Sequence, residues 1–115
     1  MNEQAAVKQD EYSDWIPVAQ ADAVPEEDVL RVRVEGRDIA LYRVDDEILA
    51  TDNVCTHGNA LLSDGWLEGY EIECPLHQGR FDIRTGSPVH PPVCVALRTY
   101  PVRVESGQVY LNLAT

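Results

Sequence analysis

Cys55-Thr56-His57 and Cys74-Pro75-Leu76-His77 each set one thiol and one imidazole on a short segment, and sixteen residues lie between His57 and Cys74. Cysteine and histidine side chains are metal ligands, as thiolate and as neutral imidazole. Cys-x-His and Cys-x-x-His spacings let both side chains of one tight loop converge on a small object. Gly58 and Gly79 follow the two histidines closely. Glycine there permits positive φ and close backbone approach. Backbone N–H groups in such turns can nest around anions, and Pro75 stiffens the second loop. Two of the chain's three cysteines and two of its three histidines fall here, so the clustering is unlike a chance scatter.

Other chemistries lack their parts. Oxygen activation at non-haem iron needs two histidines and a carboxylate of its own. After His57 and His77 only His90 remains. No Gly-x-Gly-x-x-Gly follows a strand, so no dinucleotide site is expected. Neither oxygen activation nor nucleotide-dependent reduction is therefore expected of this chain. Structural zinc stays open as the rival, since it also accepts two cysteines and two histidines. The familiar zinc-finger pattern pairs like with like, whereas each loop here mixes the two types.

The third cysteine, Cys94, has no thiol partner left and reads as a small buried hydrophobe on a strand. Three cysteines are an odd count and do not suggest a disulfide framework. The first residues show no basic segment before an apolar stretch, and no apolar run is long enough to span a bilayer. The protein is therefore expected in the cytoplasm, with its thiols reduced.

The elements that must hold these loops read as strands. Leu30, Val32 and Val34 alternate with Arg31 and Arg33, the period of a half-buried strand. Gly36 offers a turn into Ile39–Val44. Asp45-Asp46 turns again into Ile48-Leu49-Ala50. Near the C-terminus Val102 and Val104 alternate with charges, Ser106-Gly107 turns, and Val109, Leu111 and Leu113 return as a hairpin. No segment gives an amphipathic helix. The expected fold is all-β, an antiparallel sandwich or barrel. Residues 1–12 read as a loose segment and 13–115 as one domain. The irregular stretch 53–92, rich in Gly, Pro, Cys and His, is the expected functional part.

Twenty acidic residues face nine basic ones, a net charge of -11. That argues against nucleic acid, whose phosphate backbone is bound by Lys and Arg clusters, and against anionic membrane surfaces. It favours solubility and partners with basic docking faces.

Cys-x-His, sixteen residues, then Cys-x-x-His resembles the Rieske [2Fe–2S] pattern, and the likeness runs from about Trp15 to Leu113. It implies an antiparallel β-sandwich with a two-loop cluster-binding subdomain and one [2Fe–2S] cluster. By that resemblance Cys55 and Cys74 hold the inner iron, and His57 and His77 hold the outer, exposed one. A proline-rich third loop, here around Pro91-Pro92, would pack over the cluster. His90 reads as a loop or surface residue. Trp66 reads as a core anchor, with an exposed contact near the tip as the alternative.

Within the family, respiratory proteins add a second cysteine to each loop and a serine after the second loop's glycine. Ala60, Leu76 and Arg80 stand at those places, so a bracing disulfide and that hydroxyl are absent. The expected potential is at the low end of the Rieske range, about −150 mV. The stretches Leu67-Glu68-Gly69, Ile72 to Asp82, Arg84-Thr85-Gly86 and Thr99-Tyr100-Pro101-Val102 resemble ferredoxin components of bacterial aromatic-ring dioxygenase systems. Such a ferredoxin takes single electrons from a flavoprotein reductase and delivers them to a terminal Rieske oxygenase. The resemblance thus implies those two partners and a monomeric, non-enzymatic carrier. A Rieske subunit of another oxidoreductase complex is the alternative.

Overall fold

The computed structural model describes residues 14–93 and 95–114. The N-terminal segment 1–12 and Cys94 lie outside them. Among the described residues eleven strands run in chain order: β1 (Trp15–Gln20), β2 (Asp28–Val34), β3 (Arg37–Val44), β4 (Glu47–Asp52), β5 (Trp66–Glu68), β6 (Glu71–Glu73), β7 (Arg80–Asp82), β8 (Pro88–His90), β9 (Thr99–Tyr100), β10 (Val102–Glu105) and β11 (Gln108–Asn112). The helical structure among the described residues is two 3-10 turns, Ala21–Ala23 and Leu62–Asp64. The all-β antiparallel fold expected from the strand periods is the fold observed.

The strands form three antiparallel sheets, ordered β1-β11-β10, β2-β3-β4-β9 and β5-β6-β7-β8. The β2–β3 register pairs Leu30 with Leu41 and Val32 with Ile39. Glu35 and Gly36 between them both have positive φ, as do Ser106 and Gly107 between β10 and β11. That pairing is the two-residue turn whose twist matches the flanking strands.

Strand β3 explains how the sheets stack. Ile39, Ala40, Leu41 and Tyr42 are all fully buried. Ile39 and Leu41 enter one core with Val34, Ile48, Tyr100, Val109 and Leu111. Ala40, Tyr42 and Val44 enter a second core with Cys55, Leu62, Ile72, Cys74, Phe81 and Ile83. A strand covered on both faces is a continuous apolar run rather than an alternation, which is how Ile39 to Tyr42 reads. Tyr42 keeps its hydroxyl satisfied by a 2.9 Å hydrogen bond with Thr51.

The third sheet lies within the stretch expected to be irregular. Strands β5 to β8 have three residues each. A three-residue strand shows too little alternation for period two to emerge. Its inner face carries Leu67, Ile72 and Phe81, which are cross-strand neighbours. Its outer face carries the row Trp66, Glu73, Arg80 and His90. Trp66 is 60% exposed, so it is not a core anchor. Its parity on β5 sets it opposite Leu67, on the solvent side.

Candidate metal centre

Three loops leave the ends of these strands together. The first joins β4 to β5, the second joins β6 to β7, and the third joins β8 to β9. Cys55 and His57 stand on the first; Cys74 and His77 stand on the second.

The first loop is pinned at its base by Asn53, a fully buried polar residue. The Asn53 amide donates to Asp38 Oδ1 (3.0 Å) and Ser63 Oγ (2.9 Å). Asn53 Oδ1 accepts from the Ser63 N–H at 2.8 Å. The Asn53 main chain adds bonds to Asp38 and Leu62. Asp38 is in turn held by a two-pronged contact with Arg31, at 3.0 and 2.7 Å. That pairing keeps the Asp38 carboxyl below the usual carboxylate range. Sequence pattern alone does not single out Asn53, which follows the polar Thr51 and Asp52 at the end of β4, just before the cysteine loop.

The second loop is a tight reversal closed by the Cys74 N–H donating to the Gly79 carbonyl at 2.7 Å. Of the two features expected of these glycines, positive φ and close backbone approach, the structure shows the second. A Cβ on Gly79 would stand 2.5 Å from Val93 Cγ1, and one on Gly58 would stand 3.0 Å from Leu76 Cδ2. Glycine at these points lets the first loop pack on the second, and the second on the third. The left-handed residues are instead His77 (φ 66°) and Gln78 (φ 62°). The third loop also meets the first, where Thr56 Oγ1 donates to the Val95 carbonyl at 2.7 Å. His90 is exposed and its Nδ1 lies 2.9 Å from the Pro91 carbonyl.

The four donors divide by depth. Cys55 and Cys74 are free thiols, 3% and 0% exposed. Burial pushes the Cys74 thiol up to about 11, with neighbouring Cys55 adding to the rise and the Leu76 N–H, 3.4 Å from Cys74 Sγ, opposing it. An isolated thiol of this kind stays protonated; bound metal makes the thiolate the stable form. His57 and His77 are exposed, and their rings meet edge to face with centroids 5.2 Å apart. A sulfur pair below and a nitrogen pair above fit a dinuclear group, with two protein donors for each iron.

The sequence model of the Rieske [2Fe-2S] domain matches residues 14–101. The ferredoxin component of the naphthalene 1,2-dioxygenase/salicylate 5-hydroxylase systems of Ralstonia sp is 56% identical over 99 residues, 86% of this chain and 95% of that protein. The ferredoxin of Sphingomonas yanoikuyae B1 superposes with a TM-score of 0.82 at 42% identity, covering 84% of this chain and 96% of that one. A ferredoxin solved in complex with the oxygenase of carbazole 1,9a-dioxygenase superposes with a TM-score of 0.81 at 42% identity, covering 86% and 93%. No helix among the described residues is long and apolar enough to cross a membrane. The chain belongs to the Rieske [2Fe–2S] family, in its ferredoxin branch, and is an electron carrier built around one [2Fe–2S] cluster.

Proposed function

We propose that this ferredoxin takes single electrons from a flavin-dependent NAD(P)H reductase and delivers them to a terminal aromatic-ring-hydroxylating oxygenase, acting as a cytoplasmic monomer. Cys55 and Cys74 hold the inner iron; His57 and His77 hold the outer one. Residues 13–115 act as one Rieske domain, with 53–92 as the cluster-binding part. The carrying observation is the arrangement of an exposed imidazole pair above a buried thiol pair. The cluster, when bound, supplies one-electron redox chemistry. The protein's own part is to bury the sulfur side, exclude water from it, and leave the imidazole edges open to a partner.

The relatives' names support the partners. The Ralstonia protein is a component of a dioxygenase system, and the carbazole ferredoxin was solved with its oxygenase. The potential belongs near the low end of the range, about −150 mV. Leu76 stands where a bracing cysteine would be, and Leu76 N–H to Cys74 Sγ is the hydrogen bond to a ligand sulfur seen among the described residues. Fewer such bonds stabilise the reduced state less.

The test is reconstitution. The purified protein should be red-brown, give a rhombic EPR signal on reduction, and support turnover when mixed with a flavoprotein reductase and an aromatic-ring oxygenase. A colourless zinc-containing protein would overturn the cluster ligation. A coloured protein that no such pair reduces or oxidises would move it to another oxidoreductase complex. A clearly positive midpoint in a redox titration would overturn the low-potential assignment.

A further inference from the structure

The second loop presents His77 from a conformation that the loop's own residues do not favour. His77 and Gln78 are both left-handed without being glycine. Such residues persist only where the surroundings enforce them. The main-chain bond from Cys74 to Gly79 closes the loop at one point. Immediately outside it, Glu73 and Arg80 are direct cross-strand partners on β6 and β7. Arg80 Nη2 lies 2.9 Å from Glu73 Oε1. The other prong, Nη1, reaches Glu68 Oε1 on β5 at 3.1 Å and Glu71 Oε1 on β6 at 3.4 Å.

This is more than a surface ion pair. The Glu73 side chain is 19% exposed and the Arg80 side chain 33%. A planar guanidinium fork spanning carboxylates on two strands is oriented as well as charged, which a lone exposed pair is not. Its position is specific too: one partner directly precedes Cys74, and the other directly follows Gly79.

We propose that the Glu73–Arg80 ion pair is a clasp that holds the strained Cys74–Gly79 loop in the conformation presenting His77, which makes Arg80 and Glu73 positioning residues for the cluster. The proposal rests on the reading of Cys74 and His77 as ligands. Breaking the clasp from either side relaxes the loop, loosens the His77 ring against its iron and opens the sulfur side to water.

Charge alone predicts something different. Arg80→Gln removes a positive charge beside the cluster and Glu73→Ala removes a negative one. Acting only through the field, they would move the midpoint potential in opposite directions and leave the spectrum and iron retention alone. Acting as a clasp, both should broaden the rhombic EPR signal in the same way. Both should also speed iron release to a chelator by about fivefold, the effect of losing one partly shielded ion pair. Glu105→Gln, which breaks the surface pair with Arg103 away from the loop ends, should leave both readouts at parent values. Arg80→Lys keeps a cation within reach of Glu73 but loses the fork, so both readouts should fall between those of the parent and Arg80→Gln.

Opposite potential shifts with unchanged spectra and release rates would overturn the proposal. So would an Arg80→Lys variant no closer to the parent than Arg80→Gln. Circular dichroism of the holoprotein follows the fold, and a variant that lost its strands would be replaced in the comparison by the other side of the clasp and by Arg80→Lys. His77→Cys separates the two claims. If it leaves the spectrum unchanged, the ligand reading fails; if it changes the spectrum while the clasp variants do not, the clasp alone fails.

Discussion

His57 and His77 differ from Cys55 and Cys74 in exposure as well as in chemistry, and the difference decides which substitutions are informative. A cysteine at 57 would add a thiolate where a neutral imidazole stood. The extra negative charge makes reduction harder, so His57→Cys should lower the midpoint potential and change the rhombic EPR signature. An unaltered spectrum would remove His57 from the ligand set. Asn53 makes the complementary case, a residue with no electronic role and a large structural one. Its side chain satisfies Asp38, Ser63 Oγ and the Ser63 N–H from a fully buried position. Asn53→Ala would leave buried polar groups without partners, at a cost of about 1–3 kcal/mol. Chemical denaturation of the holoprotein should show that loss, and faster cluster loss should accompany it. A variant as stable as the parent would mean that water replaces the amide at little cost.

Strands β3 and β4 carry the first loop, and Asp38 on β3 makes its anchorage pH-dependent. The hydrogen bond from Arg31 is the leading reason the carboxyl titrates low, with burial opposing it and Asn53 assisting. A carboxylate whose folded pKa lies below its unfolded value stabilises the fold above the unfolded pKa. That contribution disappears as pH falls through the folded pKa. Parent and Asp38→Asn should therefore differ in stability at neutral pH and converge below about pH 4, near the ordinary carboxylate value. A constant gap down to pH 2 would show that shape and not charge separates them. The same scale shows what the sequence made legible. The long strands were readable because Leu30-Arg31-Val32-Arg33-Val34 alternates over enough residues to show its period, whereas the burial of Ile39–Tyr42 on both sides depends on the two cores that cover it. Strands β5 to β8 were not readable, because three residues cannot display an alternation and their pairing is fixed by loops elsewhere in the chain. The four proposed ligands stood out by type and spacing. Asp38, Asn53, Glu73 and Arg80 did not, since their roles depend on cross-strand neighbours that sequence distance hides.

At the scale of the whole molecule the decisive quantity is the surplus of carboxylates. Among the described residues most cations are engaged: Arg31 pairs with Asp38, Arg84 with Asp82, Arg103 with Glu105, and Arg80 with three glutamates at once. Arg43 turns inward to the Ala21 and Val24 carbonyls. What projects beyond the surface is therefore the field of the net -11 charge. Glu68, Glu71 and Glu73 place part of it directly beside the second loop, so the field reaches a partner approaching the imidazole edges. Such a field steers association over distances that salt shortens, to about 10 Å at 0.1 M ionic strength and about 3 Å at 1 M. Stopped-flow electron transfer to an oxygenase should accordingly slow by about tenfold or more between low salt and 1 M. The dependence should lie in the second-order rate constant, because salt screens encounter and leaves the tunnelling distance within the docked pair unchanged. A second-order rate that ignores ionic strength would mean that encounter is governed by shape at the loop tip, with the acidic surface serving solubility alone.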